Sequence, residues 1–188
     1  MQRLIVFNNM SLDGYFVDAH SDMRFAQNDR KDSTWDAFVA GNASGGGTFV
    51  FGRITYEMMA SFWPTPAAIQ SMPHVAATMN KNPKVVFSRT LKKADWNNTK
   101  IMQGDLLEEI RKLKAGSGDG MVIFGSGSLV SQLSQARLID EYQIIVVPIA
   151  LGKGRTMFEG ITENLPLELV GSRVFENGNV LLRYIPVA

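Results

Sequence analysis

Three short stretches place groups that suit an anion directly after runs of strand-forming residues. In MVIFGSGSLVSQL (Met121 to Leu133) an apolar run ends in Gly125-Ser126-Gly127-Ser128, and apolar residues then resume at helical spacing. A strand that enters a helix through a turn without bulky side chains exposes backbone N–H groups at the positive end of that helix, where phosphate binds well. A tight turn that needs small residues for close packing would read the same way. The stretch is neither a dinucleotide fingerprint, since Val130 stands where the third glycine would fall, nor a P-loop, since no Gly-Lys-Ser/Thr follows. FVFGRITYE (Phe49 to Glu57) repeats the strand, glycine, helix order and adds Arg53, a planar fork for phosphate, and the Thr55 hydroxyl. A capping threonine and a solvated arginine are the plainer alternative. VFSRT sets Ser88, Arg89 and Thr90 just past a third strand. In an open α/β sheet, ligands bind beyond the carboxyl ends of the strands, so one ligand with two or three phosphates would account for all three stretches.

The elements that must position these groups follow from the hydrophobic pattern. Arg3 to Phe7 reads as a strand, Asp13-Gly14 as a turn, and Ala19 to Asp32 as a polar, irregular tail. DSTWDAFVAGNA predicts a short helix capped by Asp32 or Ser33 and stopped by the glycines at Ser44 to Gly47. Thr48 to Phe51 is a strand, and Ile54, Met58 and Phe62 give the next helix its spacing. Four prolines between residues 63 and 83 argue against long regular structure there, beyond a helical turn near Ala67 to Gln70. Lys84 to Ser88 and Lys100 to Gln103 read as strands. DLLEEIRKLKAG is an amphipathic helix with acids leading and bases trailing. Gly120 to Phe124 is a strand, Ser128 to Ala136 a helix, and DEYQIIVVPIALG opens with a long buried strand. Leu167 to Phe175 and Val180 to Ile185 form a hairpin around Asn177-Gly178. The pattern predicts one α/β domain over residues 1–188, three-layered, with a mixed and mainly parallel sheet closed by an antiparallel C-terminal hairpin.

Composition narrows the function classes. The 188 residues are 45% apolar and 20% charged, with a formal net charge of +1, so no bulk field points to nucleic acid or an anionic membrane. The absence of cysteine excludes disulfides and thiolate chemistry. The N-terminal apolar run is too short for a signal peptide, and no run of about twenty apolar residues exists to span a membrane, so a cytoplasmic protein is expected. His20 and His74 have no partners at metal-ligand spacing, so no metal site is expected.

Taken in order, FVFGRITYE, KVVFSRT and MVIFGSGSLVSQL resemble the dihydrofolate reductase fold. SLDGYF (Ser11 to Phe16) and ARLIDEYQIIVVPIALGKGRTMF (Ala136 to Phe158) are most similar to its riboflavin-biosynthesis reductase branch, in a stand-alone member. The resemblance implies NADPH as cofactor. Gly52, Arg53 and Thr55 would meet its adenosine-side phosphates. Ser88 and Arg89 would flank the adenine ribose and its 2′-phosphate. Gly125, Ser126, Gly127, Ser128 and Leu129 would cradle the pyrophosphate. Asn8 at the end of the first strand could face the nicotinamide; the plainer reading is a strand-end polar group bonded to backbone. The resemblance also implies a homodimer.

The implied activity is reduction of a small planar heterocycle, closest to the ribosylaminopyrimidine of riboflavin synthesis. A pteridine or folate, or a nucleotide-binding module without turnover, are the alternatives. The substrate also needs a proton. Asp36, on the first helix, resembles in placement the acid that holds the pterin ring, with Trp35 and Phe38 as walls of an aromatic pocket; Asp13, in SLDG, is the other acid. For each, the plainer reading is a helix-start or turn residue. Lys153 stands in LGKGR, where two bases between glycines could meet a substrate phosphate; in the family this region more often shapes a long loop after a strand. The sequence SDMRFAQ stands where dihydrofolate reductases carry Pro-Trp in a mobile loop, a departure from that subfamily.

Overall fold

The computed structural model describes residues 1–27, 30–43 and 46–187. Ser44 and Gly45, half of the expected helix stop, lie outside them. The elements run β1 (Leu4–Ser11), β2 (Tyr15–Asp18), a 3-10 turn (Arg24–Ala26), α1 (Ser33–Ala43), β3 (Thr48–Gly52), α2 (Arg53–Phe62), α3 (Pro66–Ser71), α4 (Pro73–Lys81), β4 (Lys84–Phe87) and β5 (Thr99–Met102). They continue α5 (Leu106–Ala115), β6 (Met121–Phe124), α6 (Gly127–Gln135), β7 (Glu141–Val147), β8 (Gly154–Thr156), β9 (Leu167–Val174) and β10 (Val180–Pro186).

One eight-stranded sheet has the order β5-β4-β3-β6-β1-β7-β10-β9. The pairings from β5 to β7 are parallel, and β10 pairs antiparallel with both β7 and β9. β3 shows why the parallel part forms. Its residues are β-formers, and Phe49, Val50 and Phe51 are buried on both faces of the sheet. Val50 enters the core with Leu4, Ile110 and Leu133. Phe49 and Phe51 enter a second core with Tyr56 and Trp96. Phe51 is fully buried, so its truncation to Ala would cost about 3–5 kcal/mol. A third cluster joins Trp35 and Phe38 of α1 to Phe7, Ile145, Phe175 and Leu181.

Two expectations need correction. Residues 63–83 are more regular than expected: α3 contains the helical turn expected near Ala67 to Gln70, and α4 adds a second helix of 9 residues. Pro66 and Pro73 stand in the first turns of these helices, where the missing N–H has no intrahelical partner to lose. The apolar spacing of α2 also misleads, because Ile54 and Phe62 are exposed while Thr55 and Tyr56 are buried. A further pairing escaped the pattern altogether: β2 and β8 form a small antiparallel sheet, with Val17 opposite Arg155. Three residues of β8 are too few to show a period.

Because β1, β3, β4 and β6 run parallel, their carboxyl ends at Ser11, Gly52, Phe87 and Phe124 emerge along one rim. Among the described residues no helix is long and apolar enough to cross a membrane, and no cluster of three His, Cys, Asp or Glu could hold a metal.

Candidate functional site

That rim carries a cleft of about 340 Å³, within the size range of small-molecule sites. Gly52, Arg53 and Thr55 from the β3–α2 junction line it, with Ser88 after β4 and Ser126 to Leu129 from the β6–α6 junction. The three stretches singled out by residue type therefore meet in one place. Phe16 and Val17 of β2 and Arg155 of β8 close the opposite side, and Ile54, Met58 and Phe87 give the cleft an apolar end. Ile54 is 64% exposed.

The bare turn is built from the inside. Gly125 and Ser126 both take left-handed backbone conformations, at φ +59° and φ +56°. Two such residues in sequence aim successive amides the same way. The Gly125 amide donates to Asn8 Oδ1 at 2.6 Å, and the Ser126 amide to Thr55 Oγ1 at 3.2 Å. Ser126 Oγ donates to Thr55 Oγ1 at 3.0 Å and accepts from the Gly52 amide at 2.7 Å. The three bonds of Ser126 lock the β3–α2 and β6–α6 junctions together, and the Gly125 amide ties the turn to β1. A Cβ on Gly125 would meet Thr55 at 2.9 Å, and one on Gly127 would meet the Phe16 ring at 2.8 Å. The glycines are thus required by packing within the protein. What remains for a ligand is the pair of amides on Gly127 and Ser128, the first two helical residues of α6. Among the described residues neither has a protein acceptor. With the start of α2 beside them, two helix N-termini converge on the cleft, each carrying partial positive charge.

Arg53 and Arg155 add cationic side chains, each tied to an acid one turn on: Arg53 to Glu57 at 2.8 Å and Arg155 to Glu159 at 3.5 Å. All four side chains are at least 44% exposed, so these pairs are weak and an incoming phosphate can compete for the guanidinium groups. The residues present therefore suit a phosphate-bearing nucleotide: free amides, two helix starts, two arginines and an apolar end.

Other expected site residues lie elsewhere. Asn8 is 2% exposed and sits under the turn, with Oδ1 on the Gly125 amide and Nδ2 on Met157 Sδ at 3.0 Å. Arg89 and Lys153 are exposed and do not line the cleft. Asp13 accepts hydrogen bonds from Ser11 Oγ at 2.7 Å and from the Leu151 and Gly152 amides. The Ser11 hydroxyl and these amides hold its carboxyl at about 2, so it is ionised at neutral pH and clamps the β1–β2 turn to the loop before β8. Asp36 is exposed on α1 and does not line the cleft. Trp35 and Phe38 spend their rings on packing, Trp35 at 5.0 Å from Phe175 and Phe38 at 6.3 Å from Phe7. Arg155 and the apolar end were missed in the sequence. The only signal for Arg155 was the base pair in LGKGR, and the β2–β8 pairing brings the second base rather than the first to the cleft.

Comparison with known proteins agrees with this architecture. A crystal structure from Shewanella sp. PV-4, provisionally assigned to riboflavin biosynthesis, superposes with a TM-score of 0.75 at 24% identity, covering 100% of both chains. A Thermotoga maritima diaminohydroxyphosphoribosylaminopyrimidine deaminase/5-amino-6-(5-phosphoribosylamino)uracil reductase gives 0.69 at 15% identity, over 99% of this chain and 57% of that one. Enterococcus faecalis dihydrofolate reductase, in complex with NADP(H), gives 0.62 at 16% identity over 99% and 97%. The fold is therefore dihydrofolate reductase-like. The family model for the RibD C-terminal domain matches residues 2–181, nearly the whole length, and the chain belongs to that family.

Proposed function

We propose that the protein is an NADPH-dependent reductase of a small planar heterocycle, closest in type to the 5-amino-6-(5-phosphoribosylamino)uracil reductase activity named for the Thermotoga maritima relative. The observation that carries this reading is the convergence of the β3–α2, β4 and β6–α6 strand ends on one cleft with two unpaired amides at a helix start. Bound there, NADPH would supply the hydride, and the protein's part is to hold, orient and exclude water. The Gly127 and Ser128 amides hold the pyrophosphate, Arg53 and Arg155 offset phosphate charge, and Ser88 flanks the adenine ribose. Asn8 and Thr55 are positioning residues that fix the turn from below. Asp13, ionised and committed to loop amides, keeps the β1–β2 turn in place. Asp36 stands outside the cleft lining, and its part in supplying the substrate's proton rests on its resemblance in placement to the acid that holds the pterin ring.

One observation favours a second reading. No carboxylate is among the residues lining the cleft, and a nucleotide-binding module without turnover needs none. The two readings separate in a single experiment: NADPH absorbance is followed with the ribosylaminopyrimidine and with dihydrofolate, beside a thermal-shift titration. Turnover of either substrate supports the reductase. Stabilisation by NADPH, about 2.7 kcal/mol at a hundredfold excess over Kd, without turnover supports the module. No stabilisation by NADPH or NADP+ refutes both.

A further inference from the structure

A second groove, of about 380 Å³, lies between the later half of α1 and the strands β7, β10 and β9. It shares no residue with the first cleft. Its apolar part is Phe38 and the buried Leu181, and its polar part is Gln143, Arg173 and Arg183.

The two arginines are already held in place. Arg183 Nε donates to Glu141 Oε1 at 2.7 Å, and Arg3 donates to the other oxygen of the same carboxylate at 2.7 Å. Glu141 is buried and serves both. Arg183 crosses Gly171, where the absent side chain leaves its Cδ 3.8 Å from the Cβ position. The Arg173 guanidinium lies 4.7 Å from the centre of the Phe175 ring, and its hydrogen-bond partner, the Thr34 carbonyl, is 3.5 Å away. Among the described residues no carboxylate pairs with Arg173. Arg173 and Arg183 line the groove against the single Glu141, which leaves one positive charge in excess there. An anion binding between two guanidinium groups already restrained by a carboxylate and an aromatic ring would lose little further side-chain freedom. That excess charge attracts an anion, and the two Arg forks match phosphate oxygens. The apolar patch beside them suits a carbon body joined to that phosphate.

We propose that this groove binds a small organic phosphate monoester, with its phosphate between Arg173 and Arg183 and its carbon body against Phe38 and Leu181. Calorimetric titration with phenyl phosphate and with inorganic phosphate tests it on the wild type and on Arg173→Gln and Gly171→Asp. Gly171 has ordinary backbone, and a Cβ there would stand in ordinary van der Waals contact with Arg183, so Asp puts a carboxylate beside Arg183 with little disturbance. Phenyl phosphate should bind the wild type more tightly than inorganic phosphate. Arg173→Gln should weaken it about tenfold or more, and Gly171→Asp should remove detectable binding. If Gly171→Asp fails to fold, the exposed Arg173→Gln carries the test. Absence of wild-type binding overturns the proposal. So does binding that both variants leave unchanged, which would place the probe in the first cleft. Equal affinity for the two probes overturns the role of Phe38 and Leu181.

Discussion

Replacing Thr55 with Val separates two roles that its position alone would confuse. If the hydroxyl faced the ligand, the substitution would weaken nucleotide binding and leave the free protein's stability unchanged. In the structure the hydroxyl points inward and accepts from the Ser126 amide and Ser126 Oγ. Thr55 is 8% exposed, and valine nearly matches its shape, so packing changes little. The loss is then electrostatic. The Ser126 amide is left buried without an acceptor, at about 1–3 kcal/mol, and the Ser126 hydroxyl loses one ordinary bond, at about 0.5–1.5 kcal/mol. The sum is about 3 kcal/mol. For a domain of this size that lowers Tm by about 6–12 °C. Calorimetry or circular dichroism of the ligand-free protein reads it directly, and Thr55→Ser, which keeps the oxygen, should restore most of the loss. A Thr55→Val protein within about 1 °C of wild type would refute the inward role, more so if NADPH binding fell at the same time.

Asp36→Asn should lower turnover and leave NADPH affinity intact; steady-state kinetics beside a binding titration checks it, and unchanged turnover removes Asp36 from the site. Arg53→Ala should weaken NADPH more than NADH, and equal losses would remove its part in 2′-phosphate recognition. Arg155→Ala should weaken NADPH in fluorescence titrations while the exposed Lys153→Ala does not, and the reverse ranking would refute the placement of β8. Asp32 offers a pH test. Burial pushes its carboxyl up, but the Thr34 hydroxyl and the Trp35, Asn177 and Thr34 amides outweigh this and hold it at about 2, below its ordinary 3.8. The unfolded chain binds the extra proton between those values, so Asp32's stabilisation is present above about pH 4 and lost as pH falls through about 2. In urea unfolding, Asp32→Asn should be less stable than wild type near neutrality, and the gap should close across that acid range; a constant gap would refute the assignment.

The strand-to-helix junctions were legible because their signals are local. Apolar runs ending in Gly52 and Gly125 and the first-turn chemistry of α2, α5 and α6 depend on neighbours within a few residues. The N-cap role of Asp32 was legible for the same reason, since Thr34 and Trp35 follow it directly. Its further bond to the Asn177 amide, across the sheet from the C-terminal hairpin, was not. The prolines of α3 and α4 were misread because a proline's effect depends on whether it stands in the first turn, and that boundary was not visible from proline count alone.

The sequence alone determined an alternating α/β chain with phosphate-suited groups after three strands, since hydrophobic period and turn chemistry are properties of short segments. Tertiary structure decided which groups reach the cleft. Thr55 and Ser126 turned inward to each other across 71 positions, Asp13 became a clamp on a loop 138 positions away, and Arg155 rather than Lys153 came to the rim. Each of these outcomes depends on the direction a side chain takes when distant strands pair, and spacing along the chain carries no record of that direction.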